Sequence, residues 1–137
     1  MTKVMAFGSF DLFHKGHEDY LMQAKQFGDF LIVVLARDSS YEKLRNKNPM
    51  FSENARLGVV ASKDYVNKAI LGEKVDFYKV VEDEQPDVLV LGYDQIVDEE
   101  IIRDILAKRG INSKIVRAKA FMPEKYKSSK MKDRLGV

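Results

Sequence analysis

The stretch Val4-Met5-Ala6-Phe7-Gly8-Ser9-Phe10-Asp11-Leu12-Phe13-His14-Lys15-Gly16-His17 decides how the chain is read. Its first four residues are apolar and read as a buried strand. Residues 18–27 read as a helix. Strand, glycine, short loop and helix together are the local geometry of a phosphate site in an open α/β sheet. Gly8 has no Cβ and lets the backbone approach a ligand closely. The helix start offers unpaired N–H groups and a partial positive charge. His14 and His17 are spaced to share one face of that first turn. Two imidazoles aimed at one helix start point to phosphate oxygens.

Two other readings of the same residues stand beside it. In the first, His14, His17 and Asp11 hold a metal, since histidine is a common ligand. Structural zinc sites draw mostly on cysteine, however, and the chain has none. In the second, one histidine caps the helix and the other packs in the core. The dinucleotide pattern G-x-G-x-x-G and the P-loop pattern are both absent.

Working outward, the 137 residues suit a single domain over 1–137 with a real core. Hydrophobic residues make up 45%, as in a globular protein. Lys plus Arg number 23 against 21 Asp plus Glu, a balance of +2 that gives no argument for nucleic acid. The lack of cysteine excludes disulfides and thiol catalysis. No apolar run has the length of a membrane span, and no signal-like segment opens the chain. A cytoplasmic protein is expected.

Phe30-Leu31-Ile32-Val33-Val34-Leu35-Ala36 is continuous and β-branched, as in a strand buried on both faces. A polar loop, Arg37-Asp38-Ser39-Ser40, follows. The segment Lys43-Leu44-Arg45-Asn46-Lys47-Asn48-Pro49 reads as a cation-rich loop suited to a triphosphate. Ser52 is placed to cap a helix over 53–62, with Leu57, Val60 and Ala61 as its apolar stripe. Arg56 on that helix either faces phosphate or pairs with a carboxylate.

Lys68-Ala69-Ile70-Leu71 is a short third strand, closed by Gly72. Residues 75–84 read as helix with Phe77, Val80 and Val81 inward, stopped by Pro86. Asp87-Val88-Leu89-Val90-Leu91 is the fourth strand and runs into Gly92-Tyr93-Asp94-Gln95. Asp98 caps a helix whose Ile101, Ile102, Ile105 and Leu106 face the core, and Gly110 ends it. Lys114-Ile115-Val116-Arg117 is the fifth strand. A loop over 119–127 leads to a short helix opened by Ser128 and Ser129.

The alternation implies an α/β fold, a five-stranded parallel Rossmann-like sheet with helices on both faces. Ligands in such sheets bind beyond the carboxyl ends of the strands, where strand order reverses. The polar motifs all follow strands and should meet on one rim. Asp94 there can accept from ribose hydroxyls or a base amine, or close its own turn. Ser128 and Ser129 cap the last helix, bind phosphate, or do both. Phe121 either stacks on a ring or packs in the core.

Gly8, Phe10, Asp11, His14, Gly16 and His17 meet every fixed position of G-x-F-D-x-x-H-x-G-H. The stretch therefore resembles the defining motif of the cytidylyltransferase-like nucleotidyltransferases. Further segments, Ala36-Arg37-Asp38-Ser39, Leu91-Gly92-Tyr93-Asp94-Gln95 and Ser128-Ser129-Lys130-Met131, resemble archaeal FAD synthase, which moves AMP from ATP to FMN. Glycerol-3-phosphate cytidylyltransferase shares the first motif, but its terminal segment R-T-x-G-[IV]-S-T-[ST] lacks counterparts for the Arg-Thr and the Gly at 123–129 here. Sugar-phosphate acceptors and a non-catalytic nucleotide-binding module are further readings.

The resemblance implies that Ser9, Phe10, His14, Lys15, Gly16, His17 and Asp94 bind the nucleotide. The residues themselves add Gly8, Asp11, Phe121, Ser128 and Ser129 as candidates for that site, and their charge makes His14, His17, Lys43 and Arg56 the candidates for catalysis. Mg²⁺ would enter with the triphosphate, with help from Asp11. A homodimer is also implied, with ATP or CTP and a phosphate-bearing acceptor as partners and no nucleic acid or membrane.

Overall fold

The computed structural model describes residues 1–95 and 97–120. Among these residues five strands and five helices follow in the order β1 (Lys3–Gly8), α1 (Lys15–Lys25), β2 (Phe30–Leu35), α2 (Asp38–Arg45), α3 (Glu53–Ala61), β3 (Lys68–Leu71), α4 (Tyr78–Glu84), β4 (Val88–Leu91), α5 (Glu99–Lys108) and β5 (Lys114–Arg117). The sheet runs β3-β2-β1-β4-β5, and every neighbouring pair is parallel. Strand order reverses between β1 and β4, so the switch point lies at the end of β1, where the histidine motif begins.

Strand alternation divides the core in two. Val4 and Ala6 of β1, Leu31, Val33 and Leu35 of β2, and Val88 and Val90 of β4 pack with Leu21 and Ala24 of α1 and Val60 of α3. Met5, Phe7, Ile32, Val34, Leu89 and Leu91 point the other way, onto Val80 and Val81 of α4 and Ile102 and Leu106 of α5. Helices thus cover both faces, as expected for strands apolar at every position. Each fully buried Val or Leu here contributes about 1.5–3 kcal/mol.

Several local expectations hold. The Ser52 side chain accepts from the Ala55 N–H and Asp98 accepts from Glu100 and Ile101, capping α3 and α5. Gly110 takes φ +72° just past α5. Others need correction. The segment after β2 is not all loop, because residues 38–45 form α2. No side chain of its own N-cap residue, Arg37, closes that helix. Glu53 of α3 does so instead, accepting from the Asp38 N–H at 2.9 Å. Tyr41, 1% exposed, anchors the helix from the inside.

The fourth helix begins at Tyr78 and not at 75, and Val75 is fully in solvent. Phe77 is 47% exposed although its ring rests 5.0 Å from that of Phe7. Ile101 turns outward at 57% exposure and Ala61 is exposed, so both apolar stripes are narrower than expected. The helix expected over 128–135 and most of the loop before it lie outside the described residues. Among the described residues no helix is long and apolar enough to cross a membrane.

Candidate active site

Helix α1 starts earlier than its apolar pattern indicates, because the histidines form its cap. His14 is the N-cap residue, and its Nδ1 accepts from the Gly16 N–H at 3.0 Å. His17 Nδ1 accepts from the His14 N–H at 3.3 Å, so the two close a reciprocal capping box. The rings stack with centroids 3.9 Å apart. An imidazole nitrogen that accepts carries no proton. With Nδ1 accepting in both rings, the neutral form of each carries its proton on Nε2. The cap therefore fixes both tautomers and sets two Nε2–H donors side by side.

Burial lowers the His14 pKa from its ordinary value of 6.5, and the nearby Asp94 carboxylate opposes that shift with a smaller pull upward. Near neutral pH the ring is an uncharged donor, not the protonated cation that would make the strongest phosphate contact. The same Asp94 charge acts on Tyr20. Asp94, three residues past the end of β4, therefore lies within electrostatic reach of His14.

Two side chains join β1 to β4 beneath this group. The Tyr20 hydroxyl accepts from the Phe7 N–H at 3.0 Å and donates to the Val90 carbonyl at 2.6 Å. Burial pushes this phenol above its ordinary value. Gln95 donates from Nε2 to the Phe7 carbonyl at 2.9 Å and accepts on Oε1 from the Gly92 N–H at 3.0 Å. Tyr20 drew no attention in the sequence, although it carries a polar tip at helical spacing from His17; Gln95 stood in the segment after the fourth strand with no role assigned to it.

The loop between β1 and α1 is strained. Phe10 and Leu12 have φ of +53° and +57°, values that cost bulky residues roughly 1–3 kcal/mol each. Asp11, 1% exposed, holds the loop by accepting from the Met50 and Phe51 N–H groups at 2.8 and 2.9 Å. Both carboxylate oxygens are so engaged, which gives Asp11 a structural task in this loop. The Phe10 ring packs inward. It is buried in the core and meets His17 edge to face at 5.3 Å. Gly8 serves that ring: a Cβ on it would stand 2.9 Å from Phe10. Its missing side chain makes room for a neighbour in the chain.

Arg56 settles on the structural alternative. It is 1% exposed, and it donates to the carbonyls of Ser9, Ala36 and Phe51 and to Asp38. Every side-chain nitrogen has a protein acceptor, so phosphate contact is withdrawn. Lys43 and Lys47 are exposed, on α2 and just past it, and the Arg45 guanidinium lies 4.8 Å over the Tyr41 ring. Lys15, the first residue of α1, is exposed, while Ser9 and Gly16 are half-buried beside the pair. Phe121, Ser128 and Ser129 lie outside the described residues.

Among the described residues no three His, Asp or Glu side chains group where a metal ion could be held. What the described site offers is donors: two imidazole N–H groups and a helix start beside a carboxylate. That set stabilises negative charge growing on phosphoryl oxygens. It holds no cysteine for nucleophilic attack.

The family model described as cytidylyltransferase-like matches residues 5–134. The FAD synthase of Aciduliprofundum boonei is 49% identical over 88% of this chain and 80% of its own length. The FAD synthase of Thermoplasma volcanium is 41% identical over 98% of this chain and 94% of its own. A crystal structure described as the lipopolysaccharide core biosynthesis protein of Thermoplasma volcanium superposes with a TM-score of 0.85 at 44% identity, covering 88% of this chain and 98% of that one. A pantoate-β-alanine ligase of Francisella tularensis, 16% identical with a TM-score of 0.66, shares the fold. With its G-x-F-D-x-x-H-x-G-H motif folded as a histidine-capped helix start at the switch point, the chain is a nucleotidyltransferase and belongs to the cytidylyltransferase-like family, among the archaeal FAD synthases.

Proposed function

We propose that the protein transfers AMP from ATP to FMN, forming FAD and pyrophosphate. The observation that carries this reading is the stacked His14–His17 pair, with Nδ1 of each ring locked as an acceptor and Nε2–H left as the donor, at the start of α1. The identity of the acceptor rests on relatives 41–49% identical that are named FAD synthase.

In the reaction an oxygen of the FMN phosphate attacks the α-phosphorus of MgATP. A new P–O bond forms as the bond from the α-phosphorus to the bridging oxygen breaks. That oxygen leaves with pyrophosphate. Negative charge on the phosphoryl oxygens is met by His14, His17 and the N–H groups of the first turn. Lys15, Lys43 and the last-segment residues Ser128 and Ser129 belong to the proposal as further phosphate contacts, and Asp94 as the acceptor for ribose or base. Phe121 belongs to it as a ring contact. The reading extends to one domain over 1–137, a homodimer, and a cytoplasmic setting, with no nucleic acid involved.

The test is product formation. Protein with MgATP and FMN should release pyrophosphate and yield FAD, separated by chromatography. Turnover with CTP and glycerol 3-phosphate, or with a sugar 1-phosphate, in place of ATP and FMN would overturn the acceptor. Tight ATP binding with no release under any pairing would make the chain a binding module.

A further inference from the structure

Arg117 closes β5, directly opposite Leu91 in the register of β4 and β5. Its guanidinium reaches forward to the segment that follows β4. Nη1 donates to the Gly92 and Gln95 carbonyls, both at 2.9 Å, and Nη2 to the Val97 carbonyl at 3.4 Å. Nε donates to Glu99, the first residue of α5, at 3.1 Å. Three carbonyls of one short segment converge on one planar cation. Carbonyls in a surface loop ordinarily point apart, toward water; a five-donor fork can gather them at one place.

The other side of the same segment is also held, since the Gln95 side chain bonds the Phe7 carbonyl and the Gly92 N–H. Gly92 and Gln95 are therefore held from β5 by Arg117 and tied to β1 through the Gln95 side chain. Asp94 lies between the two grips, close enough to His14 to act on its charge.

We infer that Arg117 is a positioning residue for nucleotide binding: by gathering the carbonyls of Gly92, Gln95 and Val97 it sets Asp94 beside the histidine pair. It touches no substrate and acts through Asp94. The inference rests on the nucleotide site of the proposed function and not on the acceptor. Its consequence is a separation of roles, in which the β5 side of the rim governs affinity for the nucleoside and the α1 cap governs the rate of transfer.

The test is a double-mutant cycle on equilibrium binding of α,β-methylene-ATP, followed by steady-state kinetics. R117M and D94A should each weaken binding by about tenfold, the worth of about one hydrogen bond to a charged group. The double variant should bind no more weakly than the weaker single variant, since both act through one carboxylate. R117M should raise KM for ATP while kcat at saturating ATP stays within about threefold of the parent and KM for FMN is unchanged. R117K keeps the charge without the fork and should fall between.

Full additivity in the cycle, or a fall in kcat at unchanged KM, would overturn the inference. If circular dichroism shows R117M unfolded, the same cycle run with R117K decides by the same criteria. Parent protein that binds the analogue but makes no FAD refutes the acceptor and leaves the cycle readable. Parent protein that binds no analogue refutes both.

Discussion

Arg56 and Ser9 are far apart in the chain, yet Arg56 Nη1 stands 2.7 Å from the Ser9 carbonyl, and the same nitrogen bonds Ala36 at 2.8 Å. This contact ties α3 to the ends of β1 and β2 at the point where the strained loop begins. Replacing Arg56 with Met leaves three inward carbonyls without their donor. A loss of about 3 kcal/mol is expected. Thermal unfolding should move down by roughly 10 °C. A variant melting within 2 °C or so of the parent, within scatter for a domain of this size, would show the contact to be incidental.

His17→Ala removes one Nε2–H donor and one half of the capping box. Loss of a transition-state donor typically lowers turnover by roughly two to three orders of magnitude. Loss of a cap costs about 1 kcal/mol, which leaves the fold standing. Pyrophosphate release should therefore collapse while the circular dichroism spectrum is retained. Near-normal turnover would refute the assignment of the imidazole pair.

Acid should weaken the fold through His14. Burial lowers its folded pKa below 6.5, so between that lowered value and 6.5 the unfolded chain binds more protons. Stability contributed by the neutral ring is complete above 6.5 and declines as pH falls toward the folded value. His14→Asn keeps a capping side chain without the titration. Urea midpoints at pH 8.0 and 5.5 should differ less for the Asn variant than for the parent. An equal difference in both proteins would assign the acid sensitivity to other groups.

Gly8→Ala places a methyl 2.9 Å from the Phe10 ring. Overpacking of this kind costs roughly 1–3 kcal/mol. Phe10 meets His17 edge to face, so the ring displaced by the methyl shifts an imidazole with it. Turnover should fall further than stability alone accounts for. Kinetics taken well below the melting temperature would separate the two effects, and an unchanged kcat there would count against the coupling.

The amino-acid order by itself determined the elements that depend on neighbours: the apolar runs that became β1, β2 and β4, the caps at Ser52 and Asp98, the stop at Gly110, and the histidine motif at the first strand-to-helix turn. Those features follow from local sterics and from periodicity, which are legible within a few residues. Tertiary structure decided what the polar side chains do. Asp11 takes its hold on the loop only from Met50 and Phe51, which the fold brings beside it, and Arg56 could be told from a phosphate ligand only once Ser9, Ala36 and Asp38 surrounded it. Helix α2 likewise depends on Glu53 reaching the Asp38 N–H from α3. A buried charge is defined by the partners that make its burial affordable, and those partners come from chain crossings that no local pattern encodes.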